Sequence, residues 1–262
     1  MAEAGSSSNG KAPERPAPPR RITLADLGAA LNAGWRDFAA HPQYGLFFAA
    51  FYALGGAGIL FAALRLDALW WLIPAMGGFP LLAPFAAVGL YEVSRRRESG
   101  EPLSWRAVLG ALKGRGDDQL LMMGGIIFVA FSFWMILAHA IFAIFVGESG
   151  IGAGTAGLLL SPEALAMLAV GGAVGAAFAI ALFAITVTSL PMLVERDVDF
   201  ITAIIASVGA VKANAGVMAA WAAVIALALC IAMVPLFLGL LIVMPVLGHA
   251  TWHLYRRVTG VP

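Results

Sequence analysis

QLLMMGGIIFVAFSFWMILAHAIFAIFV, residues 119–146, contains no Asp, Glu, Lys or Arg. Coiled as an α-helix it reaches about 42 Å, more than the ~30 Å hydrocarbon core of a bilayer. A run this long and this apolar has no polar face to offer water, so it reads as a membrane span. Working outward, five more stretches have the same character: 44–64, 68–93, 163–194, 214–233 and 236–255. The last two are divided only by Pro235, so the turn between them must be very short. The whole chain agrees. Of its 262 residues 61% are apolar and 12% charged, against roughly a quarter charged in soluble domains. That excludes a soluble enzyme or a nucleic-acid binder. The single cysteine, Cys230, excludes an internal disulfide.

The expected fold is an all-α membrane protein with six transmembrane helices arranged as three hairpins. Residues 1–21 (MAEAGSSSNGKAPERPAPPRR) have almost nothing apolar to bury and read as a disordered tail. They lack the apolar stretch of a signal peptide. All but one of the 16 basic residues fall on one side of this arrangement; the exception is Arg65, after the first span. By the positive-inside rule that side is cytoplasmic, and both termini lie there, in a bacterial inner membrane.

Residues 22–258 form a single membrane domain with units at 22–97, 103–194 and 198–257. Each unit opens on an amphipathic segment. In 23–40, Leu24, Leu27, Leu31, Trp35 and Phe38 recur at helical spacing, with Asp26, Asn32, Arg36 and Asp37 elsewhere. In 103–113 the apolar set is Leu103, Trp105, Val108, Leu109 and Leu112; in 198–212 it is Val198, Ile201, Ile204, Ile205 and Val208. These are expected to lie in the interface plane, with Trp35 and Trp105 at headgroup level. Thr23 with Asp26 has the form of a capping box, and Ser104 stands where a cap belongs.

Units one and three share a pattern. Gly78, Pro84, Tyr91, Arg95 and Arg96 read G-x(5)-P-x(6)-Y-x(3)-RR, and Gly239, Pro245, Trp252, Arg256 and Arg257 read G-x(5)-P-x(6)-W-x(3)-RR. Gly45 and Gly216 open the preceding spans in the same relation to His41 and Lys212. Both units begin on the same side, so they are parallel repeats. Pro84 and Pro245 each remove a backbone hydrogen bond and are expected to kink their spans. Tyr91 and Trp252 are expected where the spans leave the hydrocarbon.

Few polar groups remain inside. His139 lies in the third span, and His249 and His253 lie one turn apart in the sixth. His139 stands ~28 Å along its span from the cytoplasmic side and His249 ~12 Å, so the two cannot share a haem or metal. No cofactor is expected. Glu92 and His253 occupy equivalent repeat positions, one after Tyr91 and one after Trp252, and pack as a carboxylate–imidazole pair if the repeats meet. Gly171 and Gly175 form a GxxxG packing motif. The chain holds no HExxH, Walker A, GxSxG or dinucleotide motif, and no catalytic constellation.

Four stretches resemble a known family. GHATWHLYRR (248–257), SLPMLVERDVDFITAIIASVGAVKAN (189–214), GWRDFAAHPQYG (34–45) and GLYEVSRRRESGE (89–101) are similar to signatures of the bacterial family called Domain of Unknown Function twenty-one eighty-nine. The resemblance covers about 22–258 and departs at Ala215, where the family favours proline. It implies an integral membrane protein, and some members bear a putative cytochrome c oxidase label. The catalytic subunits of oxidases need several histidines for two haems and a copper, which the four histidines here do not supply. The leading expectation for function is an accessory or assembly partner of a membrane complex, respiratory complexes included. The alternative is a small transporter or channel with its site at the kinks Gly77–Pro84 and Gly239–Pro245. The positions to watch are Glu92, His139, His249, His253, Pro84 and Pro245; the partners expected are the bilayer and another membrane complex.

Overall fold

The computed structural model describes residues 18–66, 83–111, 118–145 and 161–260, which hold helices and no strands. The helices are α1 Leu24–Ala40, α2 Pro42–Leu66, α3 Ala83–Ser99, α4 Trp105–Gly110 and α5 Gln119–Phe145. Then follow α6 Pro162–Thr186, α7 Ser189–Glu195, α8 Phe200–Ala213, α9 Ala215–Met233 and α10 Leu240–Thr259.

Their starts are chemically marked. The amide and hydroxyl of Thr23 both donate to Asp26 Oδ2, at 2.8 Å each, at the head of α1. Ser104 accepts from the Ala107 amide (3.2 Å), Ser161 from Ala164 (3.1 Å) and Asp199 from Thr202 (2.8 Å), heading α4, α6 and α8. Each side chain satisfies an amide that has no partner within its helix. Gly260 (φ +67°) closes α10 in the left-handed conformation, its amide donating to the Arg256 carbonyl at 2.9 Å.

Among the described residues four helices are long and apolar enough to cross a membrane: Pro42–Ala62, Gln119–Phe145, Pro162–Glu195 and Ala215–Met233. The expected stretch 68–93 falls largely outside the described residues, with α3 covering its end. The expected stretch 236–255 becomes α10, which carries His249, His253, Arg256 and Arg257 and is not among the four. α10 is instead the centre of the molecule. From Met244 to Val258 nearly all of it is buried, against α1, α2, α3, α7 and α9. Other helices cover it, so it can hold polar groups that lipid would not accept.

Two core clusters share α10 as their wall. Trp252 and Tyr255 pack with Tyr91, Leu120 and Leu193 in one, and Leu247 and Leu254 pack with Trp221 and Leu27 in the other. Tyr91 and Trp252, expected at the membrane boundary, are core residues at 4% and 0% exposure. The two residues belong to one buried cluster.

Close approaches explain several glycines. A Cβ on Gly34 would lie 2.6 Å from the Ala250 nitrogen and 2.7 Å from the Val246 oxygen, so α1 lies backbone-to-backbone on α10. Ion pairs Asp26–Arg257 (2.7 Å) and Asp37–His253 (2.8 Å) join the same two helices. α1 thus buries Leu27, Ala30, Gly34 and Phe38 against protein, although Leu24 and Trp35 remain exposed. In the α9–α10 turn, Leu236 and Phe237 both take positive φ (52° and 67°), conformations costly for residues with a Cβ. Phe237 is seated in return: its ring fills the space beside Gly56, where an added Cβ would come within 2.4 Å.

The proline expectations resolve unevenly. Pro84 borders residues that lie outside the described ones, so the expected kink at it has no geometry here. Pro245 lies inside α10, its ring against Gly45 of α2. The break between α6 and α7 falls at Val187–Thr188, one turn before Pro191, whose missing N–H leaves the Val187 carbonyl without its helical donor. Ser207 of α8 serves the exposed backbone there, accepting from the Thr188 amide (3.3 Å) and donating to the Ala184 carbonyl (2.8 Å).

Candidate functional site

The residues with most chemistry converge where α1, α3, α7 and α10 meet. Asp37 of α1 is at the centre and is 6% exposed. Its Oδ2 accepts from Ser94 Oγ of α3 (2.5 Å) and pairs with His253 Nε2 of α10 (2.8 Å), and its Oδ1 pairs with Arg97 of α3. Ser94 Oγ also lies 2.8 Å from His249 Nδ1. On the other side, His253 Nδ1 lies 3.2 Å from Glu98 Oε1, and Arg256 Nε lies 3.1 Å from Glu98 Oε2. Arg256 and the Tyr255 hydroxyl both engage Glu195 of α7. One hydrogen-bonded chain therefore runs from the wholly buried His249 to the partly exposed Glu98 and Glu195, through four helices.

A second cluster lies beside it. Arg95 donates to both Glu92 (2.8 Å and 2.9 Å) and Glu101 (2.7 Å and 2.9 Å), and Arg96 Nε donates to Glu92 (2.6 Å). These groups line a polar cavity of about 250 Å³ between α3 and α4. Its two guanidinium groups face two carboxylates, so their charges already balance.

The electrostatics follow from this packing. Burial pushes the Asp37 carboxyl up, but hydrogen bonds from His253 and Ser94 outweigh it and hold the group below its ordinary value. Glu98 behaves in the same way, with burial opposed by His253 and the charge of Arg256. Glu101, at the surface, is drawn down to about 2, chiefly by its hydrogen bonds from Arg95.

The expected pairing of Glu92 with His253 is not what forms. Glu92 is taken by Arg95 and Arg96, while His253 faces Asp37 and Glu98. His249 joins the cluster through Ser94. His139 stands apart in α5, its Nδ1 2.7 Å from the Met135 carbonyl one turn earlier. Gly77 and the residues up to 82 lie outside the described residues, so the expected site at that kink has no geometry here. Gly171 and Gly175 face inward, Gly175 receiving the ring of Trp134 from α5. Among the described residues no group of three His, Cys, Asp or Glu could hold a metal ion.

Ser94, His249 and Asp37 are the residue types of a nucleophilic triad. The order of contacts is wrong for one, because Asp37 bonds to Ser94 rather than to His249, and Ser94 and His249 are both 0% exposed. The arrangement joins helices and presents no nucleophile to a substrate.

Sequence reasoning missed Asp37, grouping it with the polar positions of α1. The available signal was spacing: Leu27, Ala30, Gly34 and Asp37 step by three and four, along the buried side of the helix. Glu98, Glu195 and Ser94 had no comparable signal, because their partners come from other helices.

Long apolar helices, a buried polar hub and the absence of strands among the described residues define an α-helical integral membrane protein. Residues 72–195 match the family described as a predicted integral membrane protein (DUF2189), the family whose signatures this sequence resembles. The match takes in GLYEVSRRRESGE and the start of 189–214, and leaves 34–45 and 248–257 outside it. The parts nonetheless pack as one, since Trp252 outside the match touches the cluster of Tyr91 and Leu193 inside it. Comparison with curated proteins and with solved structures gives no match.

Proposed function

We propose that the protein is an accessory or assembly partner of another membrane complex, acting through the outer face of α6. It would sit in a bacterial inner membrane with six spans and both termini cytoplasmic. The supporting pattern for that topology is the distribution of basic residues, with α3 and α10 ending the second and sixth spans at their arginine pairs.

One observation carries the docking role. The span Pro162–Glu195 has only 6% of its apolar window buried, against 28% for α5. Its inner face packs on α5 through Gly175 and Met167. Its outer face presents Ala169, Gly172, Ala173, Ala176 and Ala177, all exposed, with nothing near Gly172. A position that meets only lipid is served as well by Leu or Val. Small residues four apart matter where another helix backbone comes close.

The test is photocrosslinking from a reactive residue at position 173 in cells, followed by purification in mild detergent. One discrete membrane protein should be captured, and Gly172→Leu with Ala176→Leu should abolish capture without lowering Tm. Recovery of the chain alone, or capture indifferent to those substitutions, overturns the reading.

A further inference from the structure

The break between α6 and α7 opens a groove of about 380 Å³ against α8 and the end of α10, within the range of small-ligand pockets. Met192, Ile205, Ala206 and Val258 supply apolar lining, and Ile205 is 67% exposed at its mouth. Three features mark it as more than a gap. Thr188 lines the groove at 2% exposure, and its hydroxyl makes no capping bond. Arg196 also lines it, and its one ion pair is a long contact from Nε to Glu195 (3.3 Å), a carboxylate already engaged by Tyr255 and Arg256. Arg20 is tied to the same edge, its amide donating to the Val258 carbonyl at 2.8 Å and its side chain lying over Gly260. The nearby Asp199 is occupied in capping α8.

The depth is as telling as the lining. The groove lies where the span Pro162–Glu195 ends and where α8 leads into the span Ala215–Met233. At that level the surrounding solvent changes from acyl chains to headgroups. An apolar slot that opens beside Ile205 and finishes at Arg196 matches an acyl chain joined to a phosphate.

We propose that this groove binds one anionic phospholipid, with an acyl chain against Met192, Ile205 and Val258 and the phosphate on Arg196. Thr188 then offers its hydroxyl to the ester region. The chemistry is of the kind basic pockets between membrane helices use for anionic headgroups.

The experiment uses the full chain, delipidated in detergent, and counts bound lipid by native mass spectrometry beside a thermal-shift titration. The probes are dioleoylphosphatidylglycerol, dioleoylphosphatidylcholine and inorganic phosphate. One phosphatidylglycerol per chain should be retained. Each cation near the phosphate is worth about five-fold in affinity, so Arg196→Gln should cut the preference over phosphatidylcholine about five-fold. Gly209→Leu, placed where an added side chain meets nothing within 4 Å, should fill the groove and abolish retention while the protein stays folded. Three results overturn the proposal: a shift given equally by phosphate alone, a preference unchanged in Arg196→Gln, or retention unchanged in Gly209→Leu. So does a full chain that binds no lipid until residues 2–15 are removed, because the N-terminal segment is then the occupant.

Discussion

Removing the Asp37 carboxylate tests the hub most directly. Asp37→Ala leaves Arg97, His253 and Ser94 without their shared acceptor, in a site where Asp37 is 6% and Ser94 0% exposed. Breaking a buried pair by deleting one partner costs about 3–5 kcal/mol, and here three donors lose one shared buried acceptor. For a chain of this size each kcal/mol moves Tm by roughly 2–4 °C, so the expected fall is about 6–20 °C. Tryptophan fluorescence is a fitting readout, since Trp221 and Trp252 are wholly buried. A double-mutant cycle with His253→Gln should show a coupling of about 0.5–3 kcal/mol, whereas Glu92→Gln with His253→Gln should be additive. A loss under about 1 kcal/mol for Asp37→Ala is the value of an exposed pair and would refute a buried hub. Strong coupling between Glu92 and His253 would refute the pairing described here.

Other consequences follow from the same contacts. Gly34→Ala should destabilise by more than the ~1–3 kcal/mol of ordinary overpacking, because the added Cβ meets backbone atoms of Ala250 and Val246. Gly28→Ala, in the same helix with nothing within 4 Å of the new Cβ, should stabilise by roughly 0.5–1 kcal/mol; thermal melts of the two variants check both. Acid should act late. Asp37 and Glu98 are held below their ordinary values of 3.8 and 4.5, so their contribution is full above those values and is lost as pH falls through the lowered ones. The loss that these two carboxylates cause should be absent from Tm measured between pH 7 and 5 and set in below pH 4. Gly175→Leu should separate α6 from α5, since even a Cβ there would come within 2.8 Å of the Trp134 ring, and cysteine crosslinking between the two helices should report it.

The apolar spans were legible because their ends are set by composition. The runs 119–146 and 214–233 became Gln119–Phe145 and Ala215–Met233. The run 236–255 looked equivalent, yet most of α10 is covered by other helices, which hydropathy does not report. Hydropathy reports what a segment would prefer as a solvent, and α10 has other helices as its solvent. The same limit applies to 23–40. Its amphipathic pattern is real, but an apolar stripe fits lipid or a neighbouring helix equally well: Leu27 and Phe38 are buried against protein, while Leu24 and Trp35 stay exposed. The break near Pro191 was open to reading from the sequence alone, as an interior proline always is.

The partner of His253 shows where repeat symmetry misleads. The repeat aligned His253 with Glu92 and so suggested that these two meet. Glu92, however, stands three and four residues before Arg95 and Arg96 on one helix, the spacing at which side chains touch without any tertiary fold. That local capture forms with the helix itself, and it leaves the carboxylate little reason to reach another helix. α3 still supplies His253 with an acid, from Glu98, while α1 supplies the second from Asp37. The imidazole therefore bridges the first unit's entry helix and its exit helix. α3 and α10 do face each other, and local charge spacing decided which of their acids were free to pair.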